Sequence, residues 1–241
     1  MIVADLEGDR RPWYHAGMDQ LGMFVKYWEP GRVKTRLAAS LGDQAASSLY
    51  RHFVFALVRR LAAVGQRRVL VYTPTERRPE FEALANEHWS SAPQAGGDLG
   101  QRIQAYFADA FQAGATRVLL VGSDSPTLPV EYLQEAFRLL ARVPVVLGPA
   151  DDGGYYLVGA AGSVPPIFAG ISWSTPQVWP QTVQRLRDAG CPYGVLPPWY
   201  DVDDPAGLRR MVRELACQGP LDGPLAELRD EVSRITAMNH D

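Results

Sequence analysis

Lysine is almost missing from this chain. Of 24 basic residues only Lys26 and Lys34 are lysine, and the rest are arginine. Cysteine is scarce as well. Cys191 and Cys217 cannot build a disulfide framework, which gives the expectation of a reducing, cytoplasmic setting. The four histidines, His15, His52, His88 and His240, lie far apart without Cys/His spacing, which argues against zinc. No apolar run approaches the roughly 18–20 residues that a membrane-spanning helix needs. The net charge of −3 gives no support to nucleic-acid binding as the main role. What is present is an ordinary globular composition, 46% hydrophobic and 21% charged, over 241 residues. That length suits one large α/β domain or two small ones.

The polar stretch Met1 to Gln20 lacks the apolar core of a signal peptide and reads as a loose extension. The fold is expected to begin at Leu21, with Met18 or Met23 near its functional start. The most informative strand is Val118 to Val121, four apolar residues followed by Gly122-Ser-Asp-Ser-Pro126. Such a run reads as a strand buried on both faces. Helical patterns flank it, Leu99–Ala113 before and Glu131–Ala141 after, which makes it a central strand of a parallel sheet. Asp124 then leaves the strand where open α/β sheets bind ligands. Its bland alternative is to cap the next turn.

A first strand, Leu21–Tyr27, leads into Pro30-Gly-Arg-Val-Lys-Thr-Arg36. Three cations in five residues, on a glycine-containing loop before a helix, suit a phosphate chain. A solvated basic loop is the plain alternative. Both lysines fall in this one strand–loop unit, where a compact ammonium has a use that an arginine fork does not meet. Gly42 to Val64 reads as a long helix carrying His52 as a structural histidine, and Val69–Thr73 as a strand. Gly97 and Asp98 precede the next helix. Asp98 can form a capping box with Gln101, while Arg102 could reach a phosphate or base. After a strand at Val143–Gly148, the run Pro149-Ala-Asp-Asp-Gly-Gly-Tyr-Tyr156 reads as a pocket wall that recognises hydroxyls, or as a long hairpin with Asp-Gly turn chemistry. Ser174 or Thr175 is a candidate cap for a helix from Pro176 to Ala189, and Trp173 is either a cleft or a core aromatic. Late in the chain Asp201 and Asp203 stand two residues apart. Paired carboxylates repel unless a cation lies between them, so a Mg²⁺ or Mn²⁺ shared with Asp124 is the economical explanation. Asp204 before Pro205 is assigned the role of helix N-cap.

Six segments, in order, resemble one family: Lys26–Leu37, Gly97–Arg102, Gly122–Pro126, Gly148–Tyr156, Ile171–Thr175 and Tyr200–Asp203. The chain is similar to small bacterial CofC-like glycosyltransferases of the GT-A fold, some associated with arsenosugar biosynthesis, within the nucleotide-diphospho-sugar transferase superfamily. The resemblance implies one α/β, Rossmann-like GT-A domain over residues 21–241, with a mixed, mostly parallel sheet flanked by helices on both faces. It implies a nucleotide across the C-terminal strand ends, contacted by Lys26, Gly31, Arg32, Lys34, Thr35, Arg36, Gly97, Asp98, Arg102 and Ser123. Sugar or acceptor would meet Asp151, Asp152, Gly153, Gly154, Tyr155 and Trp173. Metal ligation falls to Asp124 and Asp203, with Asp201 as a further candidate. Lys34, Asp124, Asp152 and Asp203 are the expected catalytic set, and Asp152 is the nearest candidate for a general base. The implied partners are a nucleotide sugar or nucleoside triphosphate and a small-molecule acceptor. Glycosyl transfer stands slightly ahead of nucleotidyl transfer with release of pyrophosphate. A non-catalytic nucleotide-sugar binder is the third reading.

Overall fold

A computed structural model describes residues 17–163, 167–217 and 219–237. Seven strands form one sheet: β1 (Met18–Lys26), β2 (Arg67–Thr73), β3 (Ser90–Pro93), β4 (Ala115–Val121), β5 (Val145–Pro149), β6 (Tyr155–Ala161) and β7 (Tyr193–Val195). Their order across the sheet is β3-β2-β1-β4-β6-β5-β7. All neighbours are parallel except β6, which runs antiparallel to both β4 and β5. The fold is therefore α/β with a mixed, mostly parallel sheet, as the sequence predicts. β4 is central, but only its β1 side is parallel.

Alternation along the strands explains why helices cover both faces. Leu119 and Val121 of β4 join Leu21, Met23 and Val25 of β1 in one core, whereas Val118 and Leu120 face a second. The first core is closed by α1 (Thr35–Leu41), α2 (Asp43–Arg60), α3 (Arg78–Ala85), α5 (Val130–Leu140), α7 (Pro205–Cys217) and α8 (Gly223–Ala237). The second is closed by α4 (Leu99–Gln112) and α6 (Val178–Asp188). Gly22 of β1 lies under Tyr106 of α4, and a Cβ there would come within 2.3 Å of the phenol. Only glycine fits that approach.

Several boundaries differ from the sequence reading. β1 begins at Met18, so the fold starts before Leu21; the rest of the expected extension, residues 1–16, lies outside the described residues. The long helix starts at Asp43, behind the shorter α1, and stops at Arg60 rather than Val64. The run 150–154 is a hairpin turn joining β5 to antiparallel β6, with Ala150 N–H donating to Gly154 O and Gly153 N–H to Ala150 O. Thr175 does not cap α6. Its hydroxyl oxygen accepts the Gln177 N–H at 3.2 Å, one turn before the helix. Asp204 does act at the start of α7, where its Oδ1 accepts the Gly207 N–H at 2.8 Å.

Candidate functional site

A cleft of about 960 Å³ opens at the C-terminal ends of β1, β4 and the adjoining loops. The topology dictates its walls. β1 and β6 flank β4, so the β1–α1 loop and the 150–156 turn face each other across Gly122–Asp124. The segment 199–203 is stitched to the floor by backbone bonds, Val202 N–H to Asp124 O at 2.8 Å and Trp199 N–H to Pro149 O at 3.0 Å. That pairing brings two aspartates distant in sequence to one place.

At the centre is Lys34. Its Nζ donates to Asp124 Oδ1 at 2.5 Å and to Asp203 Oδ1 at 2.7 Å. Arg36 donates to the other oxygen of Asp203 at 2.9 Å. The lysine side chain is only 3% exposed, its ammonium lying 5.5 Å from the Tyr50 ring and 5.6 Å from the Phe53 ring. Its backbone is left-handed, φ 49° and ψ 41°, at the entry to α1. Such a conformation in a non-glycine residue persists where its surroundings impose it. Burial alone would lower the ammonium's pKa. The carboxylates of Asp124 and Asp203 outweigh it and hold the group above the usual lysine range. Burial likewise opposes ionisation of Asp203, yet Lys34 and Arg36 keep its carboxyl below the ordinary value. Asp201, two residues away, behaves differently. Burial, and then repulsion from Asp124, push it up to about 7, although its Oδ1 accepts from Ser125 Oγ at 2.6 Å.

Asp124 Oδ1 and Asp203 Oδ1 share one ammonium, at 2.5 and 2.7 Å, so the two carboxylates face a single cation-holding point in the cleft. Two carboxylates suit Mg²⁺ or Mn²⁺, which commonly take one or two protein carboxylates and complete their shell with water and substrate phosphate. Among the described residues no group of three or more acidic, histidine or cysteine ligands converges, so a fully protein-coordinated site is not built.

Of the sequence-predicted site residues, Lys26, Arg32, Lys34, Thr35, Arg36, Arg102, Ser123, Asp124, Asp152, Gly154, Tyr155, Trp173, Asp201 and Asp203 line this one cleft. Gly31, Gly97, Asp98, Asp151 and Gly153 do not line it. Asp98 is occupied by its capping box, accepting from Gln101 N–H at 2.8 Å. Asp151 turns to Arg210, 2.5 Å away, and so braces the hairpin against α7. Gly153 packs on Pro176, where a Cβ would meet backbone at 2.7 Å. Asp152 accepts Gly154 N–H at 2.9 Å, which fixes its carboxylate on the cleft side.

Two polar residues escaped the sequence reading. Tyr50 shares a 2.7 Å hydrogen bond with Ser123 and accepts the Lys26 N–H at 3.0 Å, tying α2 to the ends of β1 and β4. Burial and the nearby Asp124 raise its phenol to about 12. Ser125 holds Asp201. Tyr50 sits among the apolar residues of an amphipathic helix, and nothing in that periodicity marks its hydroxyl.

Residues 56–175 match the family described as "Uncharacterized protein conserved in bacteria (DUF2064)". A 3-phospho-D-glycerate guanylyltransferase of Phenylobacterium zucineum (strain HLK1) is 31% identical over 159 residues, 64% of this chain and 69% of that protein. The chain belongs to the DUF2064 family. Its crystal-structure relatives include a protein of Desulfovibrio desulfuricans G20 assigned by name to the nucleotide-diphospho-sugar transferases. That protein is 36% identical, covers 91% of this chain and 97% of its own, and has a TM-score of 0.83. A cytidylyltransferase of Leptospira borgpetersenii serovar Hardjo-bovis (strain JB197) shares the fold alone, at 10% identity and a TM-score of 0.52, over 93% of this chain and 98% of its own. In this DUF2064 member, then, the cleft described above sits on a nucleotide-transferase fold.

Proposed function

We propose that the protein is a metal-dependent transferase that takes a nucleotide-activated donor, and that the group it moves is a sugar. The observation that carries this reading is the segregation of charge in the cleft. Lys26, Arg32, Lys34, Arg36 and Arg102 lie on the end of β1, the β1–α1 loop, the first turn of α1 and α4. The opposite wall offers Asp152, Tyr155, Trp173, Ser174 and Thr175, and none of the described cleft residues from 150–156 or 173–178 is cationic. Cations on one side suit a diphosphate. Carboxylate, hydroxyls and an aromatic face on the other suit a neutral, hydroxyl-rich group.

Asp124 and Asp203 are the residues that would hold Mg²⁺ or Mn²⁺, and the ion would stabilise charge on the departing nucleoside diphosphate. Lys34, Arg32 and Arg36 neutralise the same phosphates from the loop. An acceptor hydroxyl attacks the anomeric carbon as the bond from that carbon to the phosphate oxygen breaks. Asp152, which lines the opposite wall, is the proposed acceptor of the proton from that hydroxyl.

Nucleotidyl transfer is the second reading, and it has its own support: the guanylyltransferase relative and the strongly basic first loop. One assay separates the two. With Mn²⁺ and a panel of nucleoside-diphosphate sugars, release of nucleoside diphosphate with acceptor or water is expected. Pyrophosphate released from a nucleoside triphosphate plus a phosphorylated acceptor, without any turnover of nucleotide sugars, would overturn the glycosyl reading.

A further inference from the structure

We infer that Lys34 is the exchangeable counter-cation of the carboxylate pair, displaced from Asp124 and Asp203 when a divalent ion enters and transferred to the donor's phosphate. The inference rests on the metal reading above and adds the exchange to it. The ammonium already sits between the two carboxylates, 2.5 Å from Asp124 Oδ1 and 2.7 Å from Asp203 Oδ1, and Arg36 takes the remaining oxygen of Asp203. A divalent ion there must remove at least one cation, because like charges at such distances repel strongly in a buried setting. Lys34 is the cation on both ligands at once.

The lysine is also built to move. It has a flexible four-carbon stem and a compact ammonium with freely rotating donors, whereas an arginine fork would be fixed in its plane. Its stem leaves from the loop that carries Arg32 and leads into Arg36 at the start of α1, the wall assigned to phosphate. Arginine fills almost every other basic position in the chain, so the lysine stands where an arginine would bind too rigidly. One consequence is coupling. Without a donor, the ion must strip Lys34 of its two partners and give it none in return. Phosphate supplies the new partner, so ion and donor each bind more tightly in the presence of the other, by the same factor.

The test exploits the lysine shortage. With wild-type protein, an amine-reactive reagent followed by peptide mass spectrometry reads Lys34 and Lys26 separately, and the exposed Lys26 is the internal control for the Mn²⁺-alone arm, before nucleotide enters the cleft both lysines line. Mn²⁺ alone is expected to raise labelling of Lys34 several-fold while leaving Lys26 unchanged, and a nucleoside diphosphate added with Mn²⁺ should reverse the rise. In parallel, electron paramagnetic resonance measures Mn²⁺ affinity without nucleotide. Lys34→Met is expected to bind Mn²⁺ about tenfold more tightly than wild type, within the ordinary range for coupled sites, and to lose the gain that nucleotide confers. Should Lys34→Met fail to fold, the wild-type labelling decides. Lys34 labelling unmoved by Mn²⁺ that is demonstrably bound overturns the exchange but leaves the metal reading standing. Absence of Mn²⁺ binding to either protein, with and without nucleotide, overturns both.

Discussion

Tyr50 shows how a single hydroxyl can organise this cleft. It meets Ser123 at the end of β4 and the Lys26 N–H at the end of β1, directly behind the Lys34 ammonium. Tyr50→Phe keeps the ring and its packing but takes a partner from the buried Ser123 hydroxyl and from the part-buried Lys26 N–H. The expected cost is about 1–3 kcal/mol of stability, measured by chemical denaturation; a change within a few tenths would show that Ser123 and Lys26 find other partners. Side chains with a single charge-based use were legible at this scale. Lys34, Asp124 and Asp203 stood out because cations and carboxylates clustered at turns have few cheap explanations. Tyr50 and Ser125 did not, because a hydroxyl on an apolar stripe or in a turn is silent until its partner is known. Asp151 misled for the same reason. In sequence it is indistinguishable from Asp152, and only the position of Arg210 on α7 sends one outward and leaves the other in the cleft.

At the scale of elements, periodicity carried most of the information. β4, α4 and α5 fall within a few residues of their predicted spans because each has an uninterrupted apolar pattern. Failures cluster where a turn interrupts the pattern. The long helix expected over Gly42 to Val64 begins one residue later, at Asp43, but ends at Arg60, because the buried Leu61 and Val64 continue the apolar pattern into the turn that follows. The 150–154 run was expected to be either pocket wall or hairpin, and it is a hairpin whose turn also supplies Asp152 and Gly154 to the cleft. One element contact makes a pH prediction. His52 of α2 faces Glu231 of α8 at 3.2 Å, with Arg51 and Arg234 nearby. Burial lowers its pKa below the ordinary 6.5, the pull of Glu231 notwithstanding, and the two arginines add to the lowering. The unfolded chain therefore takes up a proton before the folded one does, and stability is lost as pH falls through about 6.5. His52→Gln removes this titration. Between pH of about 7.5 and about 5.5 the wild-type Tm should fall relative to the variant's, and parallel profiles would contradict the assignment.

For the molecule as a whole, sheet order does the assembling. Placing β1 and β6 on either side of β4 sets a basic loop against an acidic, aromatic wall, with the two aspartates between them. Neither half of this arrangement is informative alone. A basic loop is usually solvated, and an Asp-Gly turn is usually only a turn. Their convergence across one strand makes them a candidate site, and convergence is what a linear sequence expresses least directly. The six separated segments pointed to it only collectively. The central claim is that Asp124 and Asp203 make donor binding depend on a divalent ion. Calorimetric titration of a nucleoside-diphosphate sugar tests it most directly, in Mn²⁺ and in chelator, for wild type and for folded Asp124→Asn and Asp203→Asn. The account predicts that Mn²⁺ tightens wild-type binding by about tenfold or more and leaves both variants nearly unmoved; variants that keep the full Mn²⁺ effect would contradict it.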